Sequence, residues 1–287
     1  MDISNTKKGE MNTGNMIIGK REFDTKSKCY IMGIINVTPD SFSDGGRWLN
    51  PEAALRHAEE MIEHGADILD VGGESTRPGY IEISESEEID RVIPVIEALF
   101  NRFDIPISID TYKSKVAAAA VASGAALVND IWGLKHDDDM AEIIAKTGAA
   151  CCLMHNREQI DYNDFLTDML CDLSESADIA RRAGIADNKI ILDPGVGFAK
   201  TYEMNLEAIN KIDEIRKLGY PVLLGVSRKS VVGITLDLPV TERLEGSLAA
   251  GIVGVIRGCS FLRVHDVKET RRAVTMIEAI ISKHNDK

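Results

Sequence analysis

Eight short apolar runs in this sequence each end in polar or charged residues, and these ends hold most of the side chains that could do chemistry. In chain order they are Asn36, Arg77, Asp110, Asn129, His155, Asp193, Lys229, Arg263 and His265. A single ionisable group beside an apolar core has ordinary structural explanations. Repetition at every run favours a binding site, because each buried charge is costly unless a partner compensates it.

Four of these residues, three after the middle runs and one opposite them, suit a flat, polar ligand. They are Asp110, Asn129, Asp193 and Lys229. Carboxylates and an amide can meet several hydrogen-bond donors along one edge, as a guanidine-like ring edge requires. Taken singly, Asp110 is equally well explained as the cap of a helix that starts near Lys113, and Asp193 as a turn residue before a proline. Jointly the four predict a ligand site.

A second group follows the first, second and last runs and suits an anion. It comprises Asn36, Arg77, Arg263 and His265. Guanidinium and imidazole groups bind phosphate-type oxygens through charge-assisted hydrogen bonds, and Mg²⁺ is compatible with such a site. The first, second and last strands of a closed barrel are neighbours. A phosphate-like group is therefore predicted on that side.

The elements that must position these residues form a repeated strand-then-helix unit. The apolar runs are Ile31–Ile35, Ile68–Val71, Ile107–Ile109, Leu127–Val128, Ala150–Met154, Ile190–Leu192, Val222–Leu224 and Phe261–Val264. A helical pattern follows each of them. Eight such units predict an α/β fold, a (β/α)₈ TIM barrel whose active site lies at the carboxyl ends of the strands. An open dinucleotide-binding sheet is disfavoured because no G-x-G-x-x-G opens a helix after the first run.

The rest of the chain is assigned more simply. Residues 1–15 are predicted to be a flexible N-terminal lead-in, and residues 16–287 a single barrel domain. A short N-terminal hairpin is expected between Met16–Ile18 and the first barrel strand. Pro51 is expected to open the first helix, and Tyr162–Ala183 to form an extended helix.

Composition limits the partners. The sequence has 33 Lys and Arg against 46 Asp and Glu, a net charge of -13, which disfavours nucleic acid and anionic membrane surfaces as partners. The five cysteines show no CxxC pairing and are odd in number, so no disulfide framework is expected. The polar N-terminus lacks the apolar region of a signal peptide. These features predict a cytoplasmic protein.

The motifs together resemble the dihydropteroate synthase family, the sulfonamide target of folate biosynthesis. The matching strings are NVTPDSFSDGG at 36–46, GGESTRPG at 72–79, SIDT at 108–111, NDI at 129–131, LMH at 153–155, DPGVGFAK at 193–200, GVSRKS at 225–230 and RVHDV at 263–267. They extend from Ile31 to the last helix. Eight ordered motifs at eight predicted strand ends make the resemblance highly specific.

The resemblance implies a reaction and a set of roles. The reaction joins 6-hydroxymethyl-7,8-dihydropterin diphosphate to p-aminobenzoate and gives 7,8-dihydropteroate and diphosphate. The pterin residues would be Asp110, Asn129, Ile131, Met154, Asp193, Phe198 and Lys229. The diphosphate residues would be Asn36, Arg77, Arg263 and His265, with Asn36 also near Mg²⁺. The p-aminobenzoate residues would be Phe42, Thr76, Arg77, Pro78, Phe198, Ser227 and Lys229.

The family mechanism, as the resemblance suggests, is SN1-like. Diphosphate leaves first, Arg263, His265 and Mg²⁺ stabilise the departing anion, and Asp110 stabilises the cationic pterin methylene. Asp110, Lys229, Arg263 and His265 are therefore the expected catalytic residues. The resemblance further implies a homodimer, and two loops, one of them Thr38–Gly46, that close over the aminobenzoate.

Two other functions remain open from the sequence. A pterin-dependent methyltransferase shares the barrel and the pterin residues, but it does not need the diphosphate and aminobenzoate groups. A non-catalytic paralogue that only binds pterin would lack the anion site, whereas Asn36, Arg77, Arg263 and His265 are all present.

Overall fold

The chain begins with a hairpin and continues as parallel strands that alternate with helices. The computed structural model describes residues 15–37, 51–74 and 82–285. The hairpin strands are β1 (Asn15–Ile18) and β2 (Arg21–Asp24). The parallel strands are β3 (Tyr30–Asn36), β4 (Ile68–Gly72), β5 (Ile107–Asp110), β6 (Leu127–Asp130), β7 (Ala150–Met154), β8 (Ile190–Asp193), β9 (Leu223–Leu224) and β10 (Phe261–Val264).

Helices follow the strands of the sheet. They are α1 (Pro51–Glu63), α2 (Glu85–Arg102), α3 (Ser114–Ala122), α4 (Met140–Thr147), α5 (Phe165–Ala183), α6 (Tyr202–Asn210), α7 (Ile212–Arg216), α8 (Ser230–Leu236), α9 (Leu244–Ile256) and α10 (Val267–Asn285). Pro51 opens α1 as predicted. The long helix begins at Phe165 rather than Tyr162, because the Asp164 side chain accepts a hydrogen bond from the Thr167 amide and so caps α5. In the described part of the chain no helix has the length and apolar character needed to span a membrane.

The eight parallel strands close into a barrel. Their order is β8-β7-β6-β5-β4-β3-β10-β9. The two ends of this order meet, because Leu192 forms a parallel bridge with Val222 and its amide donates to the carbonyl of Pro221 at 3.0 Å. The predicted (β/α)₈ TIM barrel is confirmed.

The register of the strands sets the level of the site. Asn36 pairs with Gly72, Gly72 with Asp110, and Asp110 with Asn129, so these strand ends lie at one height around the barrel. Met154 pairs with Asp193 on the next two strands. Polar residues that are far apart in the sequence are therefore brought to the same rim.

The short N-terminal hairpin that the sequence predicts is present, and it closes the opposite end of the barrel. Met16, Ile18 and Phe23 are fully buried and pack in one apolar cluster with residues from the strand beginnings, including Met32 and Phe261. The aromatic rings of Phe23 and Tyr30 meet edge to face with centroids 4.8 Å apart. The predicted lead-in lies outside the described residues except for Asn15, which opens β1.

Candidate active site

Side chains from three strand ends converge beside Gly225, which follows β9. A methyl group added there would lie 3.7 Å from the Lys229 Nζ and 3.9 Å from both the Asp193 Oδ2 and the Arg263 Cβ. Asp193, Lys229 and Arg263 therefore all border the space beside Gly225. Residues predicted for both ligand groups meet at this point.

Asp110 lies at the centre of a hydrogen-bonded network. Its Oδ1 accepts from the Asn129 Nδ2 at 3.2 Å, and its Oδ2 accepts from the Arg263 Nη2 at 2.6 Å. The Arg263 Nε donates in turn to Asp70 Oδ2 at 2.6 Å. Arg263, predicted for the anion, is therefore bound to Asp110, predicted for the flat ligand. The two predicted groups are neighbouring parts of one site.

Burial sets the electrostatics of this network. Burial raises the pKa of Asp110 to about 7, although the positive charge of Arg263 opposes the rise. Burial would lower the pKa of Arg263, but Asp110 and Asp70 raise it above its usual value. The guanidinium is therefore charged, whereas Asp110 exchanges its proton near neutral pH.

Asp193 and Lys229 form the second polar pair of the site. Burial raises the pKa of Asp193, and Lys229 opposes this. Burial lowers the pKa of Lys229 to about 8, and Asp193 opposes that shift. The Lys229 Nζ donates to the carbonyl of Val196 at 2.5 Å and lies 4.8 Å from the centroid of the Phe198 ring. The Lys229 ammonium therefore interacts both with the Asp193 carboxylate and with the Phe198 ring.

The apolar wall of the site contains the three residues predicted for it. Ile131 and Met154 are buried in one small cluster, and Phe198 packs against that cluster. Tyr112 and Trp132 belong to the same cluster, and the sequence analysis did not include them. An apolar wall next to a polar edge is suited to a heteroaromatic ring.

Two further predicted anion residues, Asn36 and His265, lie at the ends of neighbouring strands. Asn36 is half-buried at the end of β3, and β10, which precedes His265, pairs with β3. The Nδ1 atom of His265 lies 3.0 Å from the Ser227 Oγ, and this hydroxyl also accepts from the His265 amide at 3.2 Å. Ser227, predicted for the aminobenzoate, thus also orients an anion residue.

Four predicted residues lie outside the described residues. They are Phe42, Thr76, Arg77 and Pro78, and the predicted lid Thr38–Gly46 lies outside as well. The described residues that flank the second segment are joined through Lys113, whose Nζ donates to Glu74 Oε2 at 2.5 Å and to the carbonyl of Ile83 at 2.8 Å. The base of that segment is therefore fixed by a buried ion pair.

The donor set limits how a metal ion could be held. Within residues 15–37, 51–74 and 82–285, no group of three or more His, Cys, Asp or Glu side chains could hold one. Asn36 offers a single amide oxygen. Such a ligand fits Mg²⁺ when substrate phosphates and water complete the coordination shell.

Asp70 is the most important residue that the sequence analysis missed. It is fully buried in β4 and accepts a hydrogen bond from Arg263, while its Oδ1 has no partner among the described residues. Its signal was present, because a carboxylate inside the apolar run Ile68–Val71 requires a buried partner. The sequence signal for Tyr112 is weaker, since it is only the position two residues after Asp110. In the structure its hydroxyl donates to Glu74 Oε1 at 3.0 Å.

Comparison with known proteins gives the same assignment. Residues 32–265 match the model of the pterin binding enzyme family. The dihydropteroate synthase of Clostridium beijerinckii is 56% identical over 267 residues, which cover 93% of this chain and 99% of the relative.

Two solved structures of dihydropteroate synthases are similar. One, from Clostridium difficile in the presence of pteroic acid, has a TM-score of 0.88 at 48% identity and covers 90% of this chain and 98% of its own. Another, from Xanthomonas albilineans with 4-aminobenzoic acid, has a TM-score of 0.89 at 39% identity and covers 94% of this chain and 98% of its own. The chain therefore belongs to the pterin-binding enzymes and, among them, to the dihydropteroate synthases, transferases of folate biosynthesis.

Proposed function

We propose that this enzyme joins 6-hydroxymethyl-7,8-dihydropterin diphosphate to p-aminobenzoate at the carboxyl end of the barrel, with the residues described above in defined roles. The observation that carries the proposal is the convergence of Asp110, Asn129, Asp193 and Lys229 beside an apolar wall, with Arg263 bound at its edge. One side of the site suits a flat ring and the other suits the anion attached to it.

The pterin ring is held by its edge and by its faces. Asp110 and Asp193 accept hydrogen bonds from its amino and ring N–H groups, while Asn129 and Lys229 supply donors. Ile131, Met154 and Phe198 pack on the ring faces, since they form the apolar wall of the site. A buried polar edge of this kind discriminates strongly, because a ligand that lacks the matching groups leaves charges unpaired.

The diphosphate is held on the other side of Arg263. The Nε and Nη2 atoms of this guanidinium are fixed by Asp70 and Asp110, and its Nη1 has no hydrogen bond to the described residues. His265, oriented by Ser227, adds a second donor, and Asn36 and Arg77 complete the set. Fixed donors stabilise the charge that develops on a leaving group without reorganisation.

The reaction then follows an SN1-like course. The bond between the pterin methylene carbon and the diphosphate oxygen breaks, and its electron pair leaves with the diphosphate. Arg263 and His265 stabilise that anion, and the carboxylate of Asp110 stabilises the cationic pterin. The lone pair of the aniline nitrogen forms the new C–N bond, and the nitrogen then loses a proton.

The p-aminobenzoate approaches from the mouth of the site. Phe198 and Lys229 are proposed to form one side of its path, and Ser227 to lie near its carboxylate. Phe42, Thr76, Arg77 and Pro78 are proposed to complete this pocket. Asn36 is proposed to hold Mg²⁺ together with the diphosphate oxygens, and the ion would supply positive charge to the leaving group.

The test is diphosphate release by the purified enzyme with both substrates and Mg²⁺. We expect release that depends on p-aminobenzoate and matches the dihydropteroate formed, and a large loss of turnover in D193N. Exchange of the exposed Lys115 for Gln is the matched control and should leave turnover unchanged. Absence of diphosphate release from the intact enzyme would contradict the proposal.

We also propose a homodimer, supported by an exposed apolar surface on α9 and α10. Val253 and Ile256 on α9, and Met276 and Ile280 on α10, are exposed, and the two helices pack against each other. Several exposed apolar side chains on two packed helices are typical of an interface. Sedimentation should give a dimer for the wild type and a monomer for M276E. The matched control F100E, on α2, should remain dimeric.

A cytoplasmic location is proposed as well. All five cysteines are free thiols, and four of them are buried. Unpaired cysteines are the rule in reducing compartments. Fractionation of cells should therefore recover the enzyme with cytoplasmic markers; recovery in a secreted fraction would contradict this.

A further inference from the structure

The loop Asp193–Lys200, which begins at the last residue of β8, has an irregular backbone with several left-handed residues. Gly195 and Ala199 have positive φ values of 67° and 42°. A methyl group on Gly195 would lie 2.0 Å from the carbonyl oxygen of His155, so the loop packs directly on the end of β7. Ala199 has a side chain and adopts this conformation at a cost. Other contacts must hold the loop in shape.

Lys200 supplies these contacts from inside the loop. Its side chain is buried, and its Nζ donates to the carbonyls of Gly195 at 2.9 Å and Phe198 at 3.0 Å and to the Nδ1 of His155 at 2.9 Å. An ammonium has three donors, and these contacts, with a longer one of 3.4 Å to the carbonyl of His155, leave none of them free. The loop is therefore wrapped around one buried amine.

The contacts of Lys200 continue to the surface through His155. Burial and the adjacent Lys200 lower the pKa of His155 to about 3, so its imidazole is neutral. Since Nδ1 accepts from Lys200, Nε2 carries the proton and donates to Asp172 Oδ2 at 3.0 Å. Arg157 donates to the same carboxylate oxygen at 2.7 Å. These contacts therefore end in the ion pair between Arg157 and Asp172, which lies on α5.

A second contact holds the loop from the same side. The hydroxyl of Tyr162 donates to the carbonyl of Ala199 at 2.9 Å, and the Arg157 guanidinium lies 4.4 Å from the centroid of the Tyr162 ring. Three carbonyls of the loop are thus bound by Lys200 and Tyr162, neither of which has a proposed contact with substrate.

The loop carries parts of the pterin pocket. Asp193 opens it, Phe198 packs on the apolar wall, and Lys229 donates to the carbonyl of Val196. Burial lowers the pKa of Lys200 to about 7, while the carboxylate of Asp193 opposes the shift. The Lys200 amine therefore also interacts electrostatically with Asp193, the carboxylate proposed to bind the pterin.

We infer that Lys200 is a positioning residue of the pterin pocket, whose amine holds the Asp193–Lys200 loop in the shape that presents Asp193 and Phe198 to the ligand. This inference rests on the proposed function. Lys200 acts through the loop and not by touching substrate. Its removal should therefore weaken pterin binding and spare the anion site, which lies on other strands.

The test is calorimetric binding of two probes, 6-hydroxymethylpterin and inorganic diphosphate with Mg²⁺, to folded variants. K200M should weaken pterin binding about tenfold or more, the usual effect of losing hydrogen bonds from a charged group, and change diphosphate binding less than about twofold. K189M is the matched control, because Lys189 also donates to a backbone carbonyl, that of Gly148, but far from the site. It should bind both probes as the wild type does.

Two further measurements keep the inference testable. In an F198A background, K200M should cost clearly less pterin affinity than in the wild type, because both changes act on one loop. If K200M does not fold, Y162F decides the matter, with an expected loss of about threefold for the pterin alone.

The outcomes distinguish a failure of the proposed function from a failure of the role inferred for Lys200. A wild type that does not bind the pterin would contradict the proposed function. A wild type that binds it, with K200M or Y162F binding equally well or losing both probes alike, would overturn the role of Lys200 and leave the proposed function standing.

Discussion

The two ends of the barrel bury side chains of opposite character. At the hairpin end, Met16, Ile18 and Phe23 are fully buried among apolar strand residues. At the other end, Asp70, Asp110, Asp193, Lys229 and Arg263 lie in or beside the barrel interior, joined by charge-assisted contacts. The same eight strands build both ends.

The difference shows how stability and chemistry are divided along the strands. Apolar burial at the hairpin end stabilises the fold without directional contacts. Buried charges at the carboxyl end contribute little net stability. Their mutual contacts instead hold them in the arrangement that a ligand needs. Changes at the first end should therefore alter unfolding, and changes at the second should alter binding and turnover.

Replacement of Arg263 by Ala should have the largest effect. It removes a donor to the diphosphate and leaves Asp70 and Asp110 without their shared cation, so kcat/KM should fall by about 10³-fold. Calorimetry should show a much greater loss for inorganic diphosphate than for the bare pterin. R102A, on the exposed face of α2, is the control. Equal losses for the two ligands would remove Arg263 from the anion site.

Replacement of Phe23 by Ala should destabilise the hairpin end without changing catalysis. Truncation of a fully buried Phe costs about 3–5 kcal/mol of unfolding free energy, measurable by urea denaturation. KM and kcat at a temperature where the variant is folded should match the wild type. F100A, which truncates an exposed Phe, should have little effect on stability. Lost pterin affinity in folded F23A would break the division between the two ends.

The affinity for the pterin should depend on pH in a bell-shaped manner. Burial raises the pKa of Asp110 to about 7, so below that pH the carboxyl is protonated, loses its negative charge and becomes a weaker acceptor for the donors of the pterin. Burial lowers the pKa of Lys229 to about 8, and that of Lys200 to about 7, so binding weakens again as these amines lose their protons. Calorimetry from pH 5 to 9 measures both limbs.

Variants assign the two limbs of this profile. D110N cannot ionise and should lose the acid limb, at the cost of weaker binding throughout. An acid limb that persists in D110N would mean that another group controls it. The hairpin-end variant F23A should keep the complete bell.

Replacement of Ser227 by Ala should have the smallest effect. It removes the hydroxyl that lies 3.0 Å from the His265 Nδ1, and one such hydrogen bond is worth about 1 kcal/mol, or roughly fivefold in diphosphate affinity. Binding of the bare pterin should not change. A variant that binds both ligands as the wild type does would show that His265 is oriented by other contacts.

Much of the architecture was predictable because strand ends carry local signals. The apolar runs end at polar residues. Five of the eight predicted strands are one or two residues longer in the structure, as with Leu127–Asp130 for the predicted Leu127–Val128, and Ala150–Met154 and Phe261–Val264 have the predicted bounds. The run Val222–Leu224 became the shorter Leu223–Leu224, with Val222 in an isolated bridge that closes the barrel.

The contacts between strand ends were not predictable in the same way. Arg263 reaches Asp110 and Asp70 across 153 and 193 positions of the chain. Every residue of β4 is buried, so the periodicity of its side chains does not indicate which of them point into the barrel. In the sequence Asp70 is therefore only one residue of an apolar run. Lys200 was visible only as the last letter of a motif, because its role depends on carbonyls that a loop with positive φ values turns inward.

The most direct test of the divided site uses two variants and two ligands. Calorimetry should show that D193N weakens binding of 6-hydroxymethylpterin by about tenfold or more and leaves inorganic diphosphate with Mg²⁺ unchanged, while H265Q does the reverse. Such opposite losses would establish adjacent pterin and diphosphate subsites at the carboxyl end of the barrel. Equal weakening of both ligands by both variants would contradict that division.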